Sequence, residues 1–253
     1  MKRKKKEKKS KDVMGLVEHL SEVRKRLFIV LIAFFVVALV SFNFSDEIVV
    51  LLIDTAKELG YELVYLAPGE LFAQYIKLSL VSGVAFASPL ILYHTWAFIR
   101  PGLKKSENTV VFLSLFAGLV CFLMGSVFAF YIVVPLVLNF FINVDPNHTV
   151  LATISIQNFL NFIMSTLVTF GIVFEMPVVT VLLSQLGLLK AEWLMKSRRV
   201  VIVLLFVIGA FITPPDVVSQ VLVSIPMLAL FEISIILSKI ITKKKIKREN
   251  EII

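Results

Sequence analysis

Six apolar runs separated by short polar segments constrain this 253-residue chain more than any other feature. They cover about 27–44, 71–98, 110–141, 156–186, 200–212 and 217–237. A helix of about 20 apolar residues matches a hydrocarbon core about 30 Å thick. In water these runs would have to bury one another. With 58% apolar residues and a mean hydropathy of +0.91, one globular core could not hide them. The chain therefore reads as an all-α membrane protein with six transmembrane helices, since helices satisfy their own backbone groups in lipid. The third and fourth runs are longer than a bilayer needs and are expected to tilt. The fifth, at 13 residues, reaches only about 20 Å. The fifth and sixth helices are expected to be short and to form the lower side of a concave bundle. Pro89 predicts a kink in the second run, and Pro135 and Pro177 fall inside the third and fourth.

Charge gives the orientation. Lys and Arg number 11 in residues 1–26, three in 99–108, four in 187–199 and six in 238–253. That accounts for 24 of the 26, so alternate connections are basic, as six spans with both termini cytoplasmic require. The net charge of +8 thus follows membrane topology and calls for no nucleic-acid partner. Residues 1–13 are expected to be a basic, disordered tail attracted to membrane lipid, 14–240 the membrane domain, and 241–253 a basic C-terminal tail. The lysine-rich lead is too polar for a cleavable signal, and no small-residue cleavage site follows the first run, so that run is expected to be retained.

No group of residues has the spacing of a catalytic site. His19, His94 and His148 are scattered, and Cys121 stands alone in an apolar run as a packing residue. No metal, cofactor or enzymatic activity is expected. Glu175, inside the fourth run, is the most informative carboxyl. At that depth it must be protonated, paired or beside water, which fits either a structural role or one in transport. Asn158, Asn161, Ser165 and Thr169 precede it as a polar stripe. A small-solute transporter using Glu175 is a second reading, and the lack of an internal repeat counts against it. Glu232 is expected to snorkel to the inner interface, and Asp216 to cap the sixth helix.

Ahead of the first run, Leu16, Leu20, Val23 and Leu27 fall on one face of a helix that should lie at the water–lipid boundary. On its own, Glu22 reads as an ordinary partner of Arg26 one turn away, and Glu107 as a solvated residue near a helix start.

Four stretches change that reading: His19 to Leu27 (HLSEVRKRL), Trp96 and Phe98 with Pro101, Phe174 to Pro177 (FEMP), and Thr213 to Gln220 (TPPDVVSQ). In this order, on a six-span frame, they resemble the TatC family, the core receptor subunits of the twin-arginine protein translocase. The resemblance covers roughly 14–240. It implies a protein that binds twin-arginine signal peptides and moves folded precursor proteins across a bacterial inner membrane. The proton-motive force drives transport, with TatA- and TatB-type single-span subunits in a multimeric complex. Glu22 and Glu107 match the carboxylates implicated in holding the arginine pair. Leu16, Leu20, Arg24, Phe98 and Lys105 fall in the same signal-peptide regions. Glu175 matches the intramembrane carboxyl, and Thr213 and Gln220 match positions linked to partner-helix docking.

Overall fold

The computed structural model describes the backbone of residues 2–99, 105–145, 153–213 and 216–250, and side chains within 21–98, 108–145, 153–213 and 216–243. Among the described residues, nine α-helices and two short strands follow in the order α1 (Lys2–Asn43), α2 (Ser45–Glu58), β1 (Glu62–Val64), α3 (Glu70–Ile99), α4 (Lys105–Phe128), α5 (Val134–Ile142), β2 (Thr153–Ser155), α6 (Ile156–Phe174), α7 (Met176–Leu186), α8 (Ala191–Ile212) and α9 (Val217–Asn250). Among the same residues, five stretches are long and apolar enough to cross a membrane: Ser21–Asn43, Glu70–Phe98, Asn108–Ile142, Ile156–Leu186 and Val217–Lys243. The helix α8 has 22 residues, but charged side chains occupy its first half.

Two sequence expectations are corrected. The protein is nearly all-helical rather than all-α. Glu62, Leu63 and Val64 pair in parallel with Thr153, Ile154 and Ser155, tying the segment after α2 to the start of α6. Three residues per strand give too little periodicity to read from sequence. The sixth helix is not short: α9 has 34 residues, because helix-favouring lysines extend it past its apolar run.

Proline places the breaks. A π-helical turn, Ala129–Val133, joins α4 to α5 just ahead of Pro135, whose missing N–H and bulky ring disturb a regular α-turn. Pro177 similarly sits in the first turn of α7, and the helix breaks at Glu175. Pro89 and Pro226 stay inside α3 and α9. Gly60 (φ 85°) closes α2: its N–H donates to the Lys57 carbonyl and that of Tyr61 to Ala56.

Two apolar clusters hold the bundle. Val49, Leu52 and Ala56 of α2 pack with Leu138 of α5 and with Phe159, Leu160 and Ile163 of α6. Val133, Phe170, Leu205, Met227, Phe231 and Ile235 form the second, where α6 meets α8 and α9. Small residues permit the closest approaches. A methyl group on Gly125 of α4 would fall 2.5 Å from the Phe170 carbonyl oxygen, and one on Gly171 2.6 Å from the Phe122 ring. Only 11% of the Ser21–Asn43 window is buried, so α1 is a peripheral helix against α3.

Candidate functional site

The residues singled out from sequence fall at three places, the basic ends of α1, α3 and α4, the break between α6 and α7, and the α8–α9 joint. The helices α1 and α3 run antiparallel: Ser45 donates its hydroxyl to the Tyr75 carbonyl, and a methyl group on Gly83 would fall 2.8 Å from the Ala38 Cβ. From that Ala38–Gly83 contact, Glu22 and Ile99 are each 16 residues away, about 24 Å along their helices. Glu22 is therefore level with the end of α3. Its Oε1 accepts two bonds from Arg26, from Nε at 2.9 Å and from Nη2 at 2.5 Å, the local pair that the spacing predicts. Arg24 is exposed beside it, and Phe98 is half-buried.

Lys105 and Glu107 open α4, whose backbone is described; their side chains, and those of Leu16 and Leu20, lie outside the described residues. Asn108, next to Glu107, fixes the start of α4. Trp96 Nε1 donates to Asn108 Oδ1 at 3.0 Å, and the Trp96 ring lies 5.3 Å edge-on from that of Phe112. Between α3 and α4, behind this bond, an apolar groove is lined by Pro89, Tyr93, Trp96, Phe112 and Phe116. Sequence reasoning passed over Asn108, and nothing in one sequence links it to Trp96.

Glu175 occupies the break between α6 and α7. Its N–H donates to the Ile172 carbonyl, and its own carbonyl accepts from Val179. The carboxyl projects to Gly118 of α4, where an added methyl group would stand 3.5 Å from Oε2. Among the described residues it has no hydrogen-bonding or ionic partner. Of the polar stripe ahead of it, Asn158 is exposed and Asn161 Oδ1 accepts from Lys77 Nζ at 2.6 Å.

At the α8–α9 joint, Thr213 is buried and donates its hydroxyl to the Gly209 carbonyl of its own helix. Gln220 Nε2 donates to the Phe206 carbonyl at 2.8 Å. The Thr213 bond thus closes the end of α8, the Gln220 bond joins the two helices, and Phe211 next to them is 86% exposed. Asp216 caps α9, its carboxylate accepting from the Ser219 N–H at 2.8 Å and from the Ser219 hydroxyl. Glu232 pairs with Arg198 at 2.8 Å, a partner that sequence distance concealed. Among the described residues, no group of three His, Cys, Asp or Glu could hold a metal ion.

Residues 18–226 match the family described as the Sec-independent protein translocase protein TatC. The TatC protein of Aquifex aeolicus is 40% identical over 237 residues, covering 92% of this chain and 98% of its own. That of Escherichia coli is 37% identical over 241 residues, covering 94% of this chain and 93% of its own. A crystal structure described as the twin arginine translocase receptor TatC superposes with a TM-score of 0.81 at 38% identity, covering 88% of this chain and 99% of that one.

Proposed function

The chain belongs to the TatC family of Sec-independent protein translocase proteins, and from that premise we propose that it is the core subunit that receives twin-arginine signal peptides. It would act in a bacterial inner membrane, with the proton-motive force driving transport of folded proteins and with TatA- and TatB-type single-span partners in a multimeric complex. Its six spans are α1, α3, α4 with α5, α6 with α7, α8 and α9, both termini being cytoplasmic. The bundle is concave, with Glu175 facing the concavity. The observation that carries this reading is the likeness to the TatC receptor structure over nearly the whole of both chains.

The chemistry supports it. A guanidinium is planar and permanently charged, and a carboxylate binds it through parallel N–H bonds. Glu22 already accepts two N–H bonds from Arg26, both on Oε1, so its carboxylate is placed to take an arginine. Two arginines need two acceptors, and Glu107 is the second, at the start of α4. Leu16, Leu20 and Phe98 supply apolar contact beside them. Arg24 and Lys105 repel weakly matched cationic peptides. Thr213 and Gln220 brace the α8–α9 face against which a partner helix docks.

Photocrosslinkers at positions 22 and 107 test the reading. Both should capture a twin-arginine peptide and neither its twin-lysine counterpart. Equal capture of the two peptides would refute it.

A further inference from the structure

The helices α8 and α9 leave one turn, so Ile212 and Val217 stand at about the same level. From there the two reach cations at different depths. Arg198 is 14 residues from Ile212, about 21 Å along α8. On α9 the first cation, Lys239, is 22 residues from Val217, about 33 Å along. Arg198 therefore lies about 12 Å nearer the turn than Lys239, level with apolar residues such as Phe231 and Ile233, while Lys196 and Lys190 carry the basic stretch of α8 on to the depth of Lys239. At this level the sequence of α9 carries Glu232, its only carboxylate between Val217 and Lys243, 15 residues and about 22 Å from the turn. Arg198 Nη2 donates to Glu232 Oε2 at 2.8 Å.

Two other contacts join the helices nearer the turn, the Gln220–Phe206 bond and the close fit of Gly209 against Ser224. Toward the far end of α8, Leu194 and Val201 pack against the second apolar cluster, a non-directional contact that leaves the axial position of that end to the charged pair. Both charged side chains are nearly half exposed, so in water the bond between them would contribute little. At the edge of hydrocarbon either charge alone would have to draw in water or headgroups, and the pair removes that need.

We infer that Arg198 and Glu232 form a depth clamp, fixing how far α8 is sunk alongside α9 and so the height of the face around Phe211, Thr213 and Gln220. They are positioning residues with no contact to the signal peptide. The apolar stretch of α8, about 20 Å long, is mismatched to a core of about 30 Å and would otherwise slide as bilayer thickness changed. The clamp rests on the proposed function only for α8 crossing the membrane, and the consequence for partner docking rests on the whole of it.

Spin labels at Val207→Cys and Ile240→Cys, in a Cys121→Ser background of the full chain, lie about 27 Å apart along the bundle axis and report sliding of α8 on α9. Their distance is measured in bilayers with hydrocarbon cores of about 27 and about 33 Å. With the pair intact, it should be the same in both. With Arg198→Ala, or with the shape-preserving Glu232→Gln, it should change by about 3 Å, half of the difference of about 6 Å between the two bilayers. The exchange of Arg198→Glu with Glu232→Arg should restore constancy. A distance as constant in both single variants as in the parent overturns the clamp, as does an exchange that fails to restore it. Crosslinking from Phe211 to a TatB-type helix is read in the same samples. If the distance responds and crosslinking does not, the clamp stands and the docking role of this face fails.

Discussion

Arg26 covers the carboxylate of Glu22, with Nε at 2.9 Å and Nη2 at 2.5 Å from the same oxygen, Oε1. The pair is local, one helical turn apart, and partly solvated, so it contributes only about 0.3–0.5 kcal/mol. Such a partner keeps the carboxylate oriented, yet gives way to a better-placed guanidinium. Arg26→Gln should therefore tighten binding of a twin-arginine peptide about twofold, while Glu22→Ala should abolish the preference over twin-lysine. Fluorescence anisotropy with the two peptides measures both. Weaker binding by Arg26→Gln would mean that Arg26 assists the site rather than competing for it.

Asn108 positions the helix that carries Glu107. The bond from Trp96 Nε1 to its Oδ1, 3.0 Å long, joins the end of α3 to the start of α4. Losing a bond of this kind costs about 1 kcal/mol. Asn108→Leu should weaken peptide binding about fivefold with little change in expression. Trp96→Phe should do the same, and the double variant should be no worse than either single one. Additive losses would show that the two residues act separately.

Steric fit at the α4–α6 seam separates two glycines. A methyl group on Gly125 meets a backbone carbonyl, that of Phe170, at 2.5 Å, whereas one on Gly171 meets the Phe122 ring, which can rotate away. Gly125→Ala should destabilise the protein by about 1–3 kcal/mol and Gly171→Ala by less. Thermal unfolding in detergent ranks the two variants.

The helical frame was legible in the sequence because lipid leaves the backbone no other solution than to satisfy itself within each run. The break at Glu175 was not, although Pro177 marked the place. A proline inside an apolar run permits either a kink, as Pro89 and Pro226 allow, or a break, and packing decides between them. The Glu22–Arg26 pair was readable from spacing alone. By contrast, Arg198–Glu232 and Trp96–Asn108 join different helices, and only their tertiary approach reveals them. The length of α9 was missed because hydropathy marks where an apolar run ends. Helix propensity, which lysine supplies, carries the backbone further.

Tyr61 offers a probe of the outer segment that is independent of peptide binding. Its hydroxyl is packed under α5 and donates to the Leu138 carbonyl at 2.7 Å. Burial pushes the phenol above the ordinary tyrosine value of 10.0. A raised folded-state pKa means that the folded protein holds this proton more tightly than the unfolded chain. Its contribution is therefore fully present below the unfolded pKa and is lost as pH rises through the folded one. Stability should fall as pH rises above about 10, and Tyr61→Phe should flatten that fall. At neutral pH the same variant should lose about 1 kcal/mol, the net contribution of one buried hydrogen bond, and bind twin-arginine peptide normally. Unfolding followed across alkaline pH checks the sign. An unchanged alkaline limb in Tyr61→Phe would assign the loss to other groups.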